Sequence, residues 1–446
     1  MNILKFSLPT RFALAGSLFS MAVMLSACGG GADDDTGAAA EASLAVTETA
    51  QAVAPATGGD AAAESLMAGR AAVDAWETEY DAATAQAFLA SQQPQATTES
   101  AMAVRELATD ARVKWNPGHY IASGKRDPQT LAKILAEIKP FPQVKGLLLR
   151  YDWAQLETDK GVYDFTKIDR DLGLVAAQGK RLFVMVGTKA FNAGGRAVPA
   201  YMYTPEYQGG AYKILIAART ALGANARYGE NAALHNAKVR DRLIALTAAL
   251  GARYNKHNAF EGITFNETAM GQMAVPLTSE QRSTFFSNLA QVDAATKQAF
   301  PNTVVMQFIN FPVTYMPGLI TSMVNNKVAL GGPDILLEDR DLNNNVFPLY
   351  DLAKGKVPVG PSVQPENYLT TTQNGVHNPP AISALYNFGR TRLNANYLFW
   401  TRSLTGTPTP WPRVQEFFKS TGFPKDATGG LVSTCPTTYT SCVSKL

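Results

Sequence analysis

The sequence predicts an α/β fold closed into a (β/α)8 TIM barrel, and three observations predict it. From residue 113 onward, strand-like apolar runs alternate with blocks whose apolar residues recur at helical spacing, making eight such pairs. No strand is followed by a G-x-G-x-x-G or G-x-x-x-x-G-K-[ST] phosphate cradle, which counts against the open doubly wound sheet whose blocks look the same locally. With 446 residues, 46% hydrophobic and 17% charged, the chain can bury one large core, and barrels of about 250 residues and upward form single domains.

Residues 1–27 stand apart from the fold. Lys5 and Arg11 form a basic start, residues 12–25 a mostly apolar run, and Leu25-Ser26-Ala27-Cys28 looks like a bacterial lipobox, in which Cys28 is lipidated and becomes the mature N-terminus. The apolar run is shorter than the roughly 20 residues of a spanning helix. Gly29, where an aspartate would signal inner-membrane retention, makes the outer membrane of a Gram-negative cell the expected address, periplasmic or surface-facing. Residues 28–112 are Ala-, Gly-, Thr- and Ser-rich, with too little apolar surface to offset ordering entropy, and read as a disordered tether.

The barrel is expected over residues 113–430. Its strands are placed at 114–121, 146–151, 181–186, 262–265, 303–309, 327–330 (or 334–337), 357–363 and 395–400. Pro358 and Pro361 weaken the seventh. Asp127-Pro128 supplies an N-cap and a proline at N1 ahead of Leu131, Ile134, Leu135 and Ile138. Val239, Leu243, Leu246 and Leu250 make a second stripe, and Thr278 to Gln281 is a capping box ahead of a third. Residues 431–446 form a tail in which Cys435 and Cys442, in an exported chain, are expected to close a small disulfide loop that pins the tail and not the core.

A formal net charge of +3 argues against a nucleic-acid partner. The four histidines, at 119, 235, 257 and 377, show no metal-ligand spacing, so neither metal nor cofactor is expected. Ser362 lacks the second glycine of a nucleophile elbow. Carboxylates remain. The run Phe260 to Phe265 delivers Asn266 and Glu267 to a strand tip, the place where barrels do chemistry. A second carboxylate, Glu366, follows the seventh strand, with Gln364 before it; Glu338-Asp339 is a competing pair. Glycosidic cleavage needs one carboxyl group to protonate the leaving oxygen and another to attack or activate water.

On these residues the barrel resembles the clan A glycoside hydrolases. Asn266-Glu267 matches their pair after the fourth strand, and Arg150 an arginine after the second. Trp153-Ala154-Gln155-Leu156-Glu157 and Lys160-Gly161-Val162-Tyr163-Asp164-Phe165 are similar to a segment several members carry there. The resemblance implies Glu267 as acid/base and Glu366 as nucleophile, although Gln364 departs from the pattern; burial and the second carboxylate are expected to raise the pKa of Glu267. Substrate contacts are expected from Asn266, Arg150, Trp153, Trp400, His119, Gln307 and Asn310, and from residues 189–234 as a wall or lid carrying Tyr201, Tyr203 and Tyr207. The expected function is a lipid-anchored glycoside hydrolase of the cell envelope acting on a poly- or oligosaccharide. The alternative is a non-catalytic carbohydrate-binding barrel.

Overall fold

A computed structural model describes residues 112–217 and 227–446. Cys28, the signal segment and all but the last residue of the tether lie outside the described residues. Eight parallel strands close the barrel: β1 Gly118–Ser123, β2 Val144–Asp152, β3 Arg181–Gly187, β4 Phe260–Phe265, β5 Val304–Phe308, β6 Ala329–Gly332, β7 Val359–Val363 and β8 Tyr397–Thr401. Each strand pairs with its neighbour in sequence, and β8 closes on β1, with Trp400 opposite Ile121. The fold is a (β/α)8 TIM barrel, and the open sheet is excluded by that closure.

Helices α1 Pro128–Ile138, α2 Thr166–Ala177, α3 Ala237–Tyr254, α4 Ser279–Ala299, α5 Met316–Asn325, α6 Ile382–Asn387 and α7 Pro410–Lys419 pack outside. Their starts follow the expected chemistry. Asp127 accepts a hydrogen bond from the Thr130 amide at 2.8 Å with Pro128 at N1, and Thr278 and Gln281 complete a capping box. Leu131, Ile134, Leu135 and Ile138 on α1, and Val239, Leu243, Leu246 and Leu250 on α3, are all buried. Between β6 and β7 a π-helical turn, Leu342–Val346, and a 3-10 segment, Phe347–Leu352, replace the α-helix. Residues 334–337, the alternative sixth strand, are loop.

The barrel is a filled core. Tyr120, Phe183, Met306, Phe308, Tyr397 and Phe399 occupy its interior, and Phe183 meets Tyr120, Tyr397 and Phe399 edge-on at centroid distances of 5.1, 5.1 and 5.2 Å. Gly262 makes the room: a Cβ there would stand 2.0 Å from the Phe183 ring. Thus the interior is packed by aromatics, and function is confined to the ends.

The expected first strand is split. Pro117 and Gly118, the latter at φ 145°, end a short strand Arg112–Lys114 before β1 begins. That short strand pairs with Ser441–Val443 of the tail, Val113 opposite Cys442. The Cys435–Cys442 disulfide, Cα atoms 5.9 Å apart, therefore belongs to a plug in which Trp115 and Tyr439 pack on the barrel interior. This corrects the expectation that the bridge pins only a tail. Under the plug, buried Glu261 accepts hydrogen bonds from the Asn116 amide at 2.7 Å, Asn116 Nδ2 at 2.8 Å and the Tyr397 hydroxyl at 2.9 Å.

The two-part motif after β2 has a structural role. Glu157, fully buried, accepts hydrogen bonds from Trp153 Nε1 at 2.9 Å, the Tyr201 hydroxyl at 2.9 Å and the Gly161 amide at 3.0 Å, and pairs with Arg242 of α3. The knot ties the β2 connection to α3 and to the segment after β3. In that segment Lys189–Ala190, Ala211–Ala217 and Arg227–Ala232 form a three-stranded antiparallel sheet. The Leu215 amide donates to Gln272 O at 2.7 Å and the Ala274 amide to Lys213 O at 2.9 Å, so the sheet leans on the loop after β4 as a wall.

Because the disulfide closes a short loop, the chain-entropy relation gives about 2.5 kcal/mol for it. The double variant Cys435→Ser/Cys442→Ser should lose about that much in urea unfolding and should speed hydrogen exchange most at Val113 and Lys114.

Candidate active site at the carboxyl end of the barrel

Glu267 follows β4 by one residue of extended chain, and its side chain is one fifth exposed. Lys189, just past β3, extends its buried ammonium into the same turn. Nζ donates to Glu267 Oε1 at 2.9 Å, to Ala269 O at 2.6 Å and to the Glu267 carbonyl. Burial alone would push the Glu267 carboxyl up; the charge and hydrogen bond of Lys189 outweigh it, with the Arg150 charge adding to them, and hold the group below its ordinary value. Burial pulls Lys189 down from the lysine range against the opposing Glu267 charge. Three oxygens around Nζ favour the charged form of the lysine, and the lysine in turn favours the carboxylate. The expectation of a raised pKa at Glu267 is therefore corrected: the cation that does it is on β3's extension, and nothing in the spacing of Asn266-Glu267 announces it.

The group pushed upward is Asp334, which the sequence reading passed over. It follows Gly332-Pro333 at the end of β6. Burial raises its carboxyl to about 7, against a 3.0 Å hydrogen bond from Asn367 Nδ2 that favours the charged form, and the charges of Glu366, Glu267 and Asp339 add to the rise. These charges belong to the ends of β4, β6 and β7, so the carboxylates share one mouth. Glu366 opens the 3-10 turn after β7, is exposed, and is itself raised by partial burial. Signals for Asp334 were present, a Pro-Asp after an apolar strand, but the uncertain end of that strand hid them.

The loops after β6 and β7 are joined. The Thr371 hydroxyl donates to Glu338 Oε2 at 2.6 Å, and the Gln373 amide to Asp339 Oδ2 at 2.7 Å, while Asp339 Oδ1 accepts from the Leu342 amide at 2.9 Å. Glu338-Asp339, the competing carboxylate pair, is thus engaged in holding the loops. Gln364 lies at the end of β7 and accepts a 3.4 Å contact from the Thr401 hydroxyl.

The remaining expected contacts divide. Arg150 stays at the mouth, donating to Asp152 Oδ1 at 2.9 Å and to the Lys189 carbonyl, where it braces the segment carrying Lys189. Asn266 is mostly buried; its Oδ1 accepts from the Thr188 amide at 2.9 Å, so that half of the amide serves the turn. Gln307 is buried, donating through Nε2 to the Asn266 and Phe308 carbonyls at 2.7 Å each. It supports Asn266 from behind and is no rim contact. Asn310 accepts from the Ala269 and Phe311 amides at 2.8 and 2.7 Å and shapes the same turn.

Trp153, Trp400 and His119 are fully buried, which corrects their assignment as substrate contacts. Trp153 belongs to the Glu157 knot. Trp400 Nε1 donates at 2.9 Å to His119 Nδ1, leaving the His119 proton on Nε2 toward Gly429 O at 3.3 Å. Burial, with Phe418 and Phe423 packed on the ring, pushes His119 down to about 4 and keeps it neutral. Tyr201 is bound to Glu157 and Tyr207 is buried, whereas Tyr203 is partly exposed on the wall. No group of His, Cys, Asp and Glu suited to a metal ion occurs among the described residues. A cavity of about 20 Å³ behind Glu267, lined by Lys189, Asn231, Phe265 and Phe285, has room for one water and not for a sugar.

The sequence matches no protein family and no curated protein. Solved structures similar to it are glycoside hydrolases. The catalytic domain of a β-amylase from Paenibacillus polymyxa is 10% identical at a TM-score of 0.45, covering 65% of this chain and 92% of that one. A β-galactosidase from Bacillus circulans sp. alkalophilus is 12% identical at 0.45, covering 65% and 50%, so this chain spans about half its length. Endo-glycoceramidase II from Rhodococcus sp. is 13% identical at 0.42, covering 66% and 76%. At these identities the likeness concerns the barrel architecture alone.

Replacing Lys189 by Met should raise the Glu267 carboxyl and cost about 1–3 kcal/mol through the unpaired acceptors. A depressed carboxyl contributes stability above pH 4.5 that is lost as pH falls through its folded value. The acid-side decline of wild-type stability, followed by thermal unfolding between pH 6 and 3, should therefore flatten in Lys189→Met.

Proposed function

We propose that the protein is a glycoside hydrolase acting on a poly- or oligosaccharide, with Asp334 as the proton donor and Glu267 as the ionised carboxylate. The observation that carries this reading is the split of two carboxyls at one barrel mouth, Asp334 pushed up to about 7 and Glu267 held down. Such a split assigns acid and base in two-carboxylate chemistry. Asp334 protonates the glycosidic oxygen, and Glu267 either attacks the anomeric carbon or takes a proton from the attacking water. Glu366 is a further carboxylate at the mouth and the alternative partner, and its charge helps keep Asp334 protonated. The chemistry requires no cofactor.

Arg150 and the Asn266 amide are the groups for sugar hydroxyls in this reading, and Tyr203 on the wall offers a ring face. The lipobox at Cys28 supports attachment to the outer membrane, with residues 28–112 as the spacer and an envelope polysaccharide as substrate. A second reading, a saccharide-binding barrel without turnover, is favoured by Gln364 at the end of β7, where the resemblance expects a nucleophile.

Reducing-end release from a panel of bacterial envelope polysaccharides tests this. Asp334→Asn and Glu267→Gln should each lower turnover about 10²–10⁴-fold, the usual worth of a positioned acid or base. Activity in the wild type should fall above pH 7 as Asp334 deprotonates and again on the acid side, below pH 4.5, as Glu267 protonates. Saccharide binding without release of reducing ends, unaffected by Glu267→Gln, would favour the second reading.

A further inference from the structure

Asn367 is fully buried between the loops after β6 and β7. A single amide there makes three bonds. Its Oδ1 accepts from the Ile335 amide at 3.0 Å and from the Gln364 amide at 2.8 Å, and its Nδ2 donates to Asp334 Oδ1 at 3.0 Å. The first two bonds lock the amide plane, because each joins a different loop. The third is then aimed: once Oδ1 is fixed by two backbone donors, Nδ2 has one direction left, and the Asp334 carboxyl lies on it. A buried amide satisfied this fully is rigid, and only Asp334 among its partners is a side chain.

We propose that Asn367 is the positioning residue of the site, fixing the Asp334 carboxyl by occupying Oδ1 and leaving the other oxygen to carry the proton presented to the leaving group. This rests on the glycosidase reading for its chemical meaning. The groups facing Asp334 are Glu267 from β4, Asp339 from its own loop and Glu366 from the turn after β7, with the Tyr350 hydroxyl from the 3-10 segment behind. The largest charge effects on Asp334 are acidic and raise it, and the Asn367 hydrogen bond is the contact that draws the carboxyl toward ionisation.

Asn367→Asp separates bracing from positioning. A carboxylate at 367 still accepts from both backbone amides and so still joins the two loops, while its burial beside Asp334 should lower the melting temperature without abolishing folding. It removes the donor to Asp334 and adds a like charge. Carbon-13 titration of γ-labelled aspartates in the ligand-free protein, with the Asp334 signal assigned by its loss in Asp334→Asn, should show its midpoint raised by about one unit or more. The alkaline limb of reducing-end release should move by the same amount.

An unmoved Asp334 midpoint in a folded Asn367→Asp protein would overturn the assignment. A moved midpoint with no hydrolysis by the wild type would support the contact and sink the glycosidase reading instead. Should Asn367→Asp fail to fold, Asn367→Ser removes the amide donor to Asp334 without adding a charge: a raised Asp334 midpoint supports the assignment, and an unmoved one overturns it.

Discussion

Carboxylates that share a partly desolvated mouth cannot all be charged cheaply unless a cation serves one of them, because the low local dielectric magnifies both repulsion and attraction. The buried Lys189 ammonium serves Glu267, and it is committed to that turn by the carbonyls of Glu267 and Ala269 as well as by the carboxylate. Asp334 has a neutral amide for company and acidic neighbours around it, so it holds its proton to about pH 7. The difference between the two groups follows from which strand extension brings a lysine and which brings an asparagine. The barrel makes the difference usable, because closure of parallel strands gathers the carboxyl ends of β4, β6 and β7 at one opening.

Much of the rest of the chain holds that opening still. The Asp339 and Thr371 bonds join the loops after β6 and β7, the Glu157 knot ties the β2 connection to α3, and the antiparallel sheet after β3 leans on the loop after β4. At the far end the plug of Arg112–Lys114 and Ser441–Val443 covers the aromatic interior and gives the tail cysteines a role in the barrel. Within the plug Trp115 packs edge-on against Tyr397 of the interior at a centroid distance of 5.5 Å. The two ends are thus specialised, one sealed by apolar packing and one opened by charge.

The architecture was legible in the sequence because its signals are local. Asp127-Pro128 and the Thr278 to Gln281 box mark helix starts that need no partner from elsewhere, and the apolar stripes of α1 and α3 carry their own period. The site was legible only in part. Asn266-Glu267 was found from its place at a strand tip, but its proton affinity is set by Lys189, 78 residues away, which no spacing rule connects to it. Asp334 was missed because the sixth strand is short, Ala329–Gly332, and the following apolar run at 335–337 imitates a strand. Trp153, His119 and Trp400 misled for the complementary reason: each is polar enough to suggest a ligand contact, and each spends a polar atom on a buried partner, Trp153 on Glu157 four residues on and Trp400 on His119 from a distant segment. The motif most suggestive of a family, around Trp153 and Glu157, turns out to be a structural knot.

Opposite proton affinities at the two carboxyls of the mouth, with Glu267 as the ionised member, are what residue-resolved carbonyl carbon-13 titration of the wild-type protein tests most directly. An Asp334 midpoint near 7 and a Glu267 midpoint below 4.5 are expected. A Glu267 midpoint above that of Asp334 would reverse the assignment of acid and base.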